Sequence, residues 1–225
     1  MCAAGIFDRW TAEVRRWGMV KVCYRSIMNQ LRPWLSVCEI SIRQLDPSGR
    51  DSAPSRFPQR VATREELLRA ADRMPDQLSD SFVAAALARG DVCYAIFDEF
   101  DEMAAFGWRS YSTAPHADGL WVGFQHPYRY GYKAYTLPRY RGQHIRNARA
   151  LDYICLDRGK THAIGFVELH NFPSIEAGKR ARNQRIGYAG YMNAFGWTIP
   201  FRTRGARRHG FRFYRPEAEQ NASGI

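Results

Sequence analysis

Apolar and polar positions change their period several times along this chain, and each change marks an element. Residues 7–31, FDRWTAEVRRWGMVKVCYRSIMNQL, carry Trp10, Val14, Trp17 and then Val20 or Lys21 at helical spacing, with Arg9, Arg15, Arg16 and Lys21 among them. A helix over 7–31 is predicted, ended by Pro33. Ser36 to Leu45 alternates Val37, Ile40 and Ile42 with polar partners and predicts a strand. The Pro, Ser and Gly of residues 46–60 predict a loop. Thr63 followed by Glu66 is a capping-box pattern that opens a helix to Arg73. A second helix runs from Ser79 to Ala88 and stops at Gly90.

Val92–Phe97 and Met103–Ser112 are strands joined by the acidic link DEFDE, a hairpin. His116–Phe124 is a connection with a short apolar patch. Tyr128–Thr136 is a strand, Ile145–Arg158 a helix stopped by Gly159, and Ala163–His170 a strand. Ser174–Ile186 reads as a helix, and Gly187–Phe195 and Gly210–Tyr214 as the last strands. The stretch PFRTRGARRHGFRFYRP between them is read as a hairpin loop with solvated arginines rather than a nucleic-acid surface. Mixed strands and helices make this an α/β (α+β) chain. It divides into an N-terminal amphipathic helical extension (1–33), one main domain (36–215) and a flexible tail (216–225).

Composition narrows the class. With 225 residues, 45% hydrophobic and 24% charged, the chain can bury a sizeable core. Its formal charge of +11 rests mostly on arginine, since the lysines are Lys21, Lys133, Lys160 and Lys179. Guanidinium forks suit phosphates and carboxylates, so acidic partners are expected. Cys2, Cys23, Cys38, Cys93 and Cys155 are odd in number and widely spaced, which argues for reduced thiols in a cytoplasmic protein and against a zinc site. No apolar run spans a bilayer or forms a signal peptide. The helix over 7–31 has two readings: packed on the core, the simpler one, or lying peripherally on an anionic inner-membrane surface with tryptophans inward.

The segment AYTLPRYRGQHIRNAR, Ala134 to Arg149, holds the chemistry. A strand ending at Pro138 that turns through Arg139, Tyr140, Arg141 and Gly142 into a helix near Ile145 points free amides at one place, a natural diphosphate cradle. Arg141 and Arg146 add charge-assisted contacts. Taken alone, the same pattern describes an ordinary strand-to-helix turn. A second element, HNFPSIEAGKRARNQRIGY, sets Asn171 and Ser174 before a helix and Gly187-Tyr188 after it. An Asx turn at Asn171 is the plain reading there. By strand alternation Glu168 and His170 share a face, as a base for an amine or as a simple hydrogen-bonded pair.

These two motifs resemble those of the GNAT (GCN5-related) acyltransferase superfamily. Arg139 and Gly142 match the acyl-coenzyme A loop, and Asn171, Ser174 and Gly187-Tyr188 match the later element; His144 stands where the family has Gly or Ala. The resemblance spans residues 36–215 by element order. It implies a mixed, largely antiparallel twisted sheet flanked by helices, with splayed central strands and here an extra N-terminal helix. It also implies a pantetheine arm held by Tyr135, Thr136, Leu137, Arg139, Arg141, Gly142, Gln143, His144, Ile145, Arg146, Asn171 and Ser174.

The implied reaction is direct transfer of an acyl group from acyl-CoA or an acidic acyl carrier protein to a small-molecule amine, without a metal. In it the Leu137 N–H would polarise the thioester carbonyl and Glu168 or His170 would act as base. Tyr188, Tyr191 or Ser174 would substitute for an acid, because Asn183 occupies the place of the family's acid tyrosine. An RNA-associated or aminoacyl-tRNA-dependent protein of the same fold, and an inactive binding module, are the rival expectations.

Overall fold

A computed structural model of the protein describes residues 11, 13–48, 57–117, 119–143, 145 and 151–216. The helix expected over 7–31 is interrupted at Gly18, between Trp17 and Met19. Residues 13–17 are helical, Gly18 leaves the helix at φ 82°, and α1 restarts as Met19–Leu31. Glycine adopts that left-handed backbone at no steric cost, whereas it weakens a helix interior. Trp10 lies outside the described residues.

The chain forms two compact units, Met1–Ser41 with Phe166–Arg208, and Ile42–Gly165 with His209–Ile225. It passes from one to the other within strand β1 (Leu35–Gln44) and again within β8 (His162–Glu168). The fold is mixed α/β, with mostly antiparallel strand pairs and helices flanking them.

In the unit built on Ile42–Gly165, the strand order is β2 (Gln59–Val61), β3 (Val92–Phe97), β4 (Met103–Ser110), β7 (Tyr128–Thr136), then β8. The first three contacts are antiparallel and β7–β8 is parallel. Every residue of β3 is buried, which fits an apolar strand covered on both faces. Helix α2 (Arg64–Arg73) starts at a complete capping box: Thr63 Oγ1 accepts from the Glu66 amide, and the Glu66 carboxylate accepts from the Thr63 amide. Ser79 caps α3 (Asp80–Ala88). The segment expected as a 116–124 connection contributes a strand instead: β5 (Ala114–Pro115), β6 (Trp121–Gly123) and β11 (Arg212–Tyr214) make a small antiparallel layer around buried Val122 and Phe213.

Helix α4 is shorter than the expected Ile145–Arg158, covering Asp152–Asp157, and Gly159 at φ 71° ends it where the sequence places the stop. Ile145 lies outside any helix and is buried against Ile96, Ala104 and Ala105. Apolar burial, not helical period, decides its place. Asp152 is 2% exposed and takes two bonds from Arg43 (2.6 and 3.2 Å), one from Arg129 (3.2 Å) and one from the Asp46 amide (3.2 Å). Both arginines are also buried. Strand alternation puts apolar residues inside β1 and gives no reason to expect Arg43 there.

In the other unit β1 lies between the end of β8 and β9 (Gln184–Ala194), and β9 pairs antiparallel with β10 (Trp197–Arg202). The expected helix Ser174–Ile186 is α5, Phe172–Arg180. It starts earlier because Asn171 caps it, and ends earlier because Arg182 turns left-handed at φ 59°. The stretch expected as a hairpin loop is instead β10 and the short helix α6 (Arg204–Arg208). A Cβ on Gly187 would sit 2.3 Å from Thr203 Oγ1 and 3.1 Å from the Ala206 amide, so the approach of α6 to β9 requires glycine.

Removing Asp152 takes away the buried carboxylate that Arg43 and Arg129 share, and Asp152→Ala is expected to lower unfolding free energy by about 3–5 kcal/mol in urea titration. The exposed Asp76→Ala should change it by no more than about 0.5 kcal/mol.

Candidate functional site

Strand β7 is regular for its first half. Tyr128, Arg129 and Tyr130 face His162, Ala163 and Ile164 of β8, and the β7–β8 register ends there among the described residues. On its other side β7 keeps β4, but with one slip: Trp108 faces Tyr132 and Phe106 faces Tyr135, so Lys133 and Ala134 stand opposite the single Gly107. Lys133 is left-handed at φ 46°. This is a β-bulge, which breaks the ladder and leaves the extra residue's backbone groups unpaired. A non-glycine residue held in that conformation carries local strain.

Beyond the bulge, Tyr135 and Thr136 complete the pairing with Phe106 and Ala105. The Leu137 amide, expected as an oxyanion donor, is committed to the Ala104 carbonyl at 3.0 Å. It continues the ladder and is not available to a ligand. Pro138–Tyr140 form one 3-10 turn, after which Gly142 turns left-handed at φ 78° with open space around its Cβ position. Arg141 Nε donates to the Thr136 carbonyl (3.0 Å) and Gln143 Nε2 to the Arg139 carbonyl (2.8 Å), which closes the loop on itself. Both side chains are exposed. His144 and Arg146 lie outside the described residues.

Arg139 is turned toward the acidic β3–β4 link, 3.4 Å from Asp98 Oδ2 and 3.3 Å from Glu102 Oε2. Tyr140 Oη donates to Asp98 Oδ2 at 2.6 Å. The other Asp98 oxygen accepts from the amides of Phe100 and Glu102, both at 2.9 Å. Burial by itself raises the Asp98 pKa, but the Tyr140 hydroxyl, these two amides and the Arg139 charge together outweigh it and hold the carboxyl below its ordinary value. Beside this junction lies a pocket of about 390 Å³. Ala70, Met74, Phe97, Met103 and Leu137 supply its apolar wall, and Arg69, Arg73 and Glu102 stand at its rim.

Glu168 and His170 meet in the other unit, but the strand expected over Ala163–His170 ends at Glu168 and His170 lies in the turn after it, so the turn and not strand alternation brings them together. His170 Nε2 is 3.4 Å from Glu168 Oε2, and Arg32 Nε lies 3.3 Å from Glu168 Oε1. His170 is 8% exposed and its Nδ1 has no hydrogen-bond partner among the described residues. Asn171 takes the plain role: its side chain accepts from the Ser174 amide (3.3 Å) and caps α5. Tyr188 Oη accepts from Arg185 (2.9 Å), and its backbone is tied to Thr203 on both sides.

No protein-family model matches the sequence, and no curated protein does. Solved structures similar to this chain include a conserved Staphylococcus epidermidis protein of unknown function, at 8% identity and TM-score 0.46, covering 72% of this chain and 64% of that one. A protein described as a GNAT-family acetyltransferase, from Novosphingobium aromaticivorans, has 13% identity and TM-score 0.44, covering 75% and 66%. A GCN5-related N-acetyltransferase from Kribbella flavida has 10% identity and TM-score 0.43, covering 84% and 65%. The chain spans about two thirds of the length of these three solved chains.

Burial pushes the Cys38 and Cys93 thiols up to about 12, so neither supplies a thiolate near neutral pH. Because the Asp98 pKa is depressed in the folded state, its contribution is full above the ordinary value near 3.8 and is lost as pH falls through the folded value. Asp98→Asn should therefore flatten the acid limb of a stability-against-pH curve below about pH 4, measured by thermal melting.

Proposed function

We propose that this protein is an N-acyltransferase that moves an acyl group directly from a phosphopantetheine thioester to an amine. The observation that carries this reading is the bulge at Lys133–Ala134, on a strand whose register with β8 ends at Ile164. A strand that leaves its neighbour keeps backbone donors and acceptors for an extended arm rich in amides, as pantetheine is. The bulged amide at Ala134 takes the role that Leu137 does not fill, donating to the thioester carbonyl as it gains negative charge. The loop from Arg139 to Gln143 follows at the end of the same strand. Its exposed Arg141 and the open left-handed turn at Gly142 suit a diphosphate.

Transfer then requires three further acts. The amine must lose a proton to a base or to solvent. The neutral nitrogen attacks the thioester carbon, forming a C–N bond as the C–S bond breaks. The leaving thiolate takes a proton from solvent. No step passes through a cysteine of the protein. Acyl-CoA and an acidic acyl carrier protein present the same arm, and the formal charge of +11 favours either anionic donor.

Incubation with acyl-CoA or acyl-carrier thioesters and a panel of amines, read by mass spectrometry of amide product and released thiol, tests the reading; no product with any donor would defeat it. Arg141→Ala is expected to weaken CoA binding by about tenfold to a hundredfold in calorimetry with the melting temperature unchanged.

A further inference from the structure

Large apolar side chains that face solvent are distributed unevenly. In the unit built on Ile42–Gly165 they are Val61 and Phe100; all the others among the described residues fall in the unit Met1–Ser41 with Phe166–Arg208. There the β9–β10 turn carries Phe195, 100% exposed and left-handed at φ 51°, then Gly196, then Trp197, 75% exposed. Ile199 and Phe201 follow at every second position, so they share one face of β10 with Trp197, and Met192, also exposed, stands opposite Ile199 on β9. The ribbon therefore ends in an aromatic tip and has one apolar face.

The same end of this unit receives the chain from α1. The Trp34 amide donates to the Leu31 carbonyl (2.8 Å), the Asn193 amide to the Trp34 carbonyl (2.7 Å), and Asn193 Nδ2 to the Pro33 carbonyl (2.9 Å). Thr198 Oγ1 bonds Asn193 Oδ1 at 2.8 Å, which fixes the base of the tip to this junction. Trp34 is 60% exposed beside it. Along α1, Val20, Tyr24, Ile27 and Leu31 recur at helical spacing and are all exposed, while Val22 and Met28 are buried. A patch that combines several such residues marks an interaction surface.

Charge says what covers it. Met1–Ser41 and Phe166–Arg208 hold 14 of the 33 Lys and Arg residues but 5 of the 22 Asp and Glu, so +9 of the formal +11 falls in this unit. Like-charged copies of this unit repel one another, whereas an anionic lipid surface attracts it. Tryptophan and phenylalanine at a tip, on a unit of net positive charge, match the boundary between headgroups and acyl chains. Among the described residues no helix is long and apolar enough to cross a membrane, so the contact is peripheral.

We propose that the β9–β10 tip, with Trp34 and the outer stripe of α1, docks this protein on anionic lipid bilayers. The test is co-sedimentation of the full chain with vesicles of phosphatidylcholine alone and with one quarter phosphatidylglycerol. The wild type is expected to bind the anionic vesicles, to release as salt rises, and to show a blue-shifted tryptophan emission on binding. Phe195→Ser with Trp197→Ser, both solvent-facing, should keep the melting temperature and lose about tenfold or more of the binding. Absence of wild-type binding overturns the proposal, as does a folded double variant that binds as well as wild type. A salt-stable dimer in light scattering that the double variant dissociates, without vesicle binding, assigns the surface to a second copy and equally overturns it.

Discussion

One buried carboxylate holds the larger unit together. Asp152 opens α4, Arg43 lies at the end of β1 and Arg129 at the start of β7, and the three side chains meet where hardly any water reaches. Two buried guanidiniums share this one carboxylate, so any shift in α4 weakens both ion pairs at once. Arg129 is also the residue next to Tyr130, where β7 stops facing β8. The ion triad thus pins the last regular turn of the ladder before the bulge. What lies beyond it can be irregular because what lies before it cannot move.

The second fixed point is the acidic link of the β3–β4 hairpin. Asp98 uses both oxygens, one to fold its own turn through the amides of Phe100 and Glu102, the other to hold Tyr140 and Arg139. A turn that folds itself and clamps the loop after β7 gives both ends of the bulged segment a defined position. The Leu137 amide belongs to the same frame through Ala104. Of the residues expected around the donor, Arg139 and the Leu137 amide are engaged by this frame, while Arg141 and Gln143 close the exposed loop on itself.

Local chemistry was the readable part of the chain. The Thr63–Glu66 box, the Ser79 cap and the stop at Gly159 are decided by a few neighbouring atoms, and structure and sequence agree on them. Glu168 and His170 do pair, but across the turn that follows β8 rather than along a strand face. Where burial competes with local preference the reading failed: Ile145 left its expected helix for an apolar niche, and the arginine-rich stretch after Trp197 became strand and helix by packing on β9. The bulge did leave a trace. Tyr128, Tyr130 and Tyr132 keep the two-residue period of a strand, and the next tyrosine comes at 135 rather than 134. No glycine announced it, since Lys133 takes the strained position itself.

That slip by one residue makes β7 a strand of two phases. Before the bulge one set of side chains faces the Trp108 layer, and after it the faces exchange, so that Tyr135 meets Phe106 across a 5.8 Å ring contact. A residue gained or lost between Tyr128 and Tyr132 would transpose every aromatic ring that follows onto the wrong side of the sheet. The loop after Pro138 has no such phase to keep. The loop can change its length without moving a ring of the sheet, whereas the count of residues leading to the bulge cannot change at all.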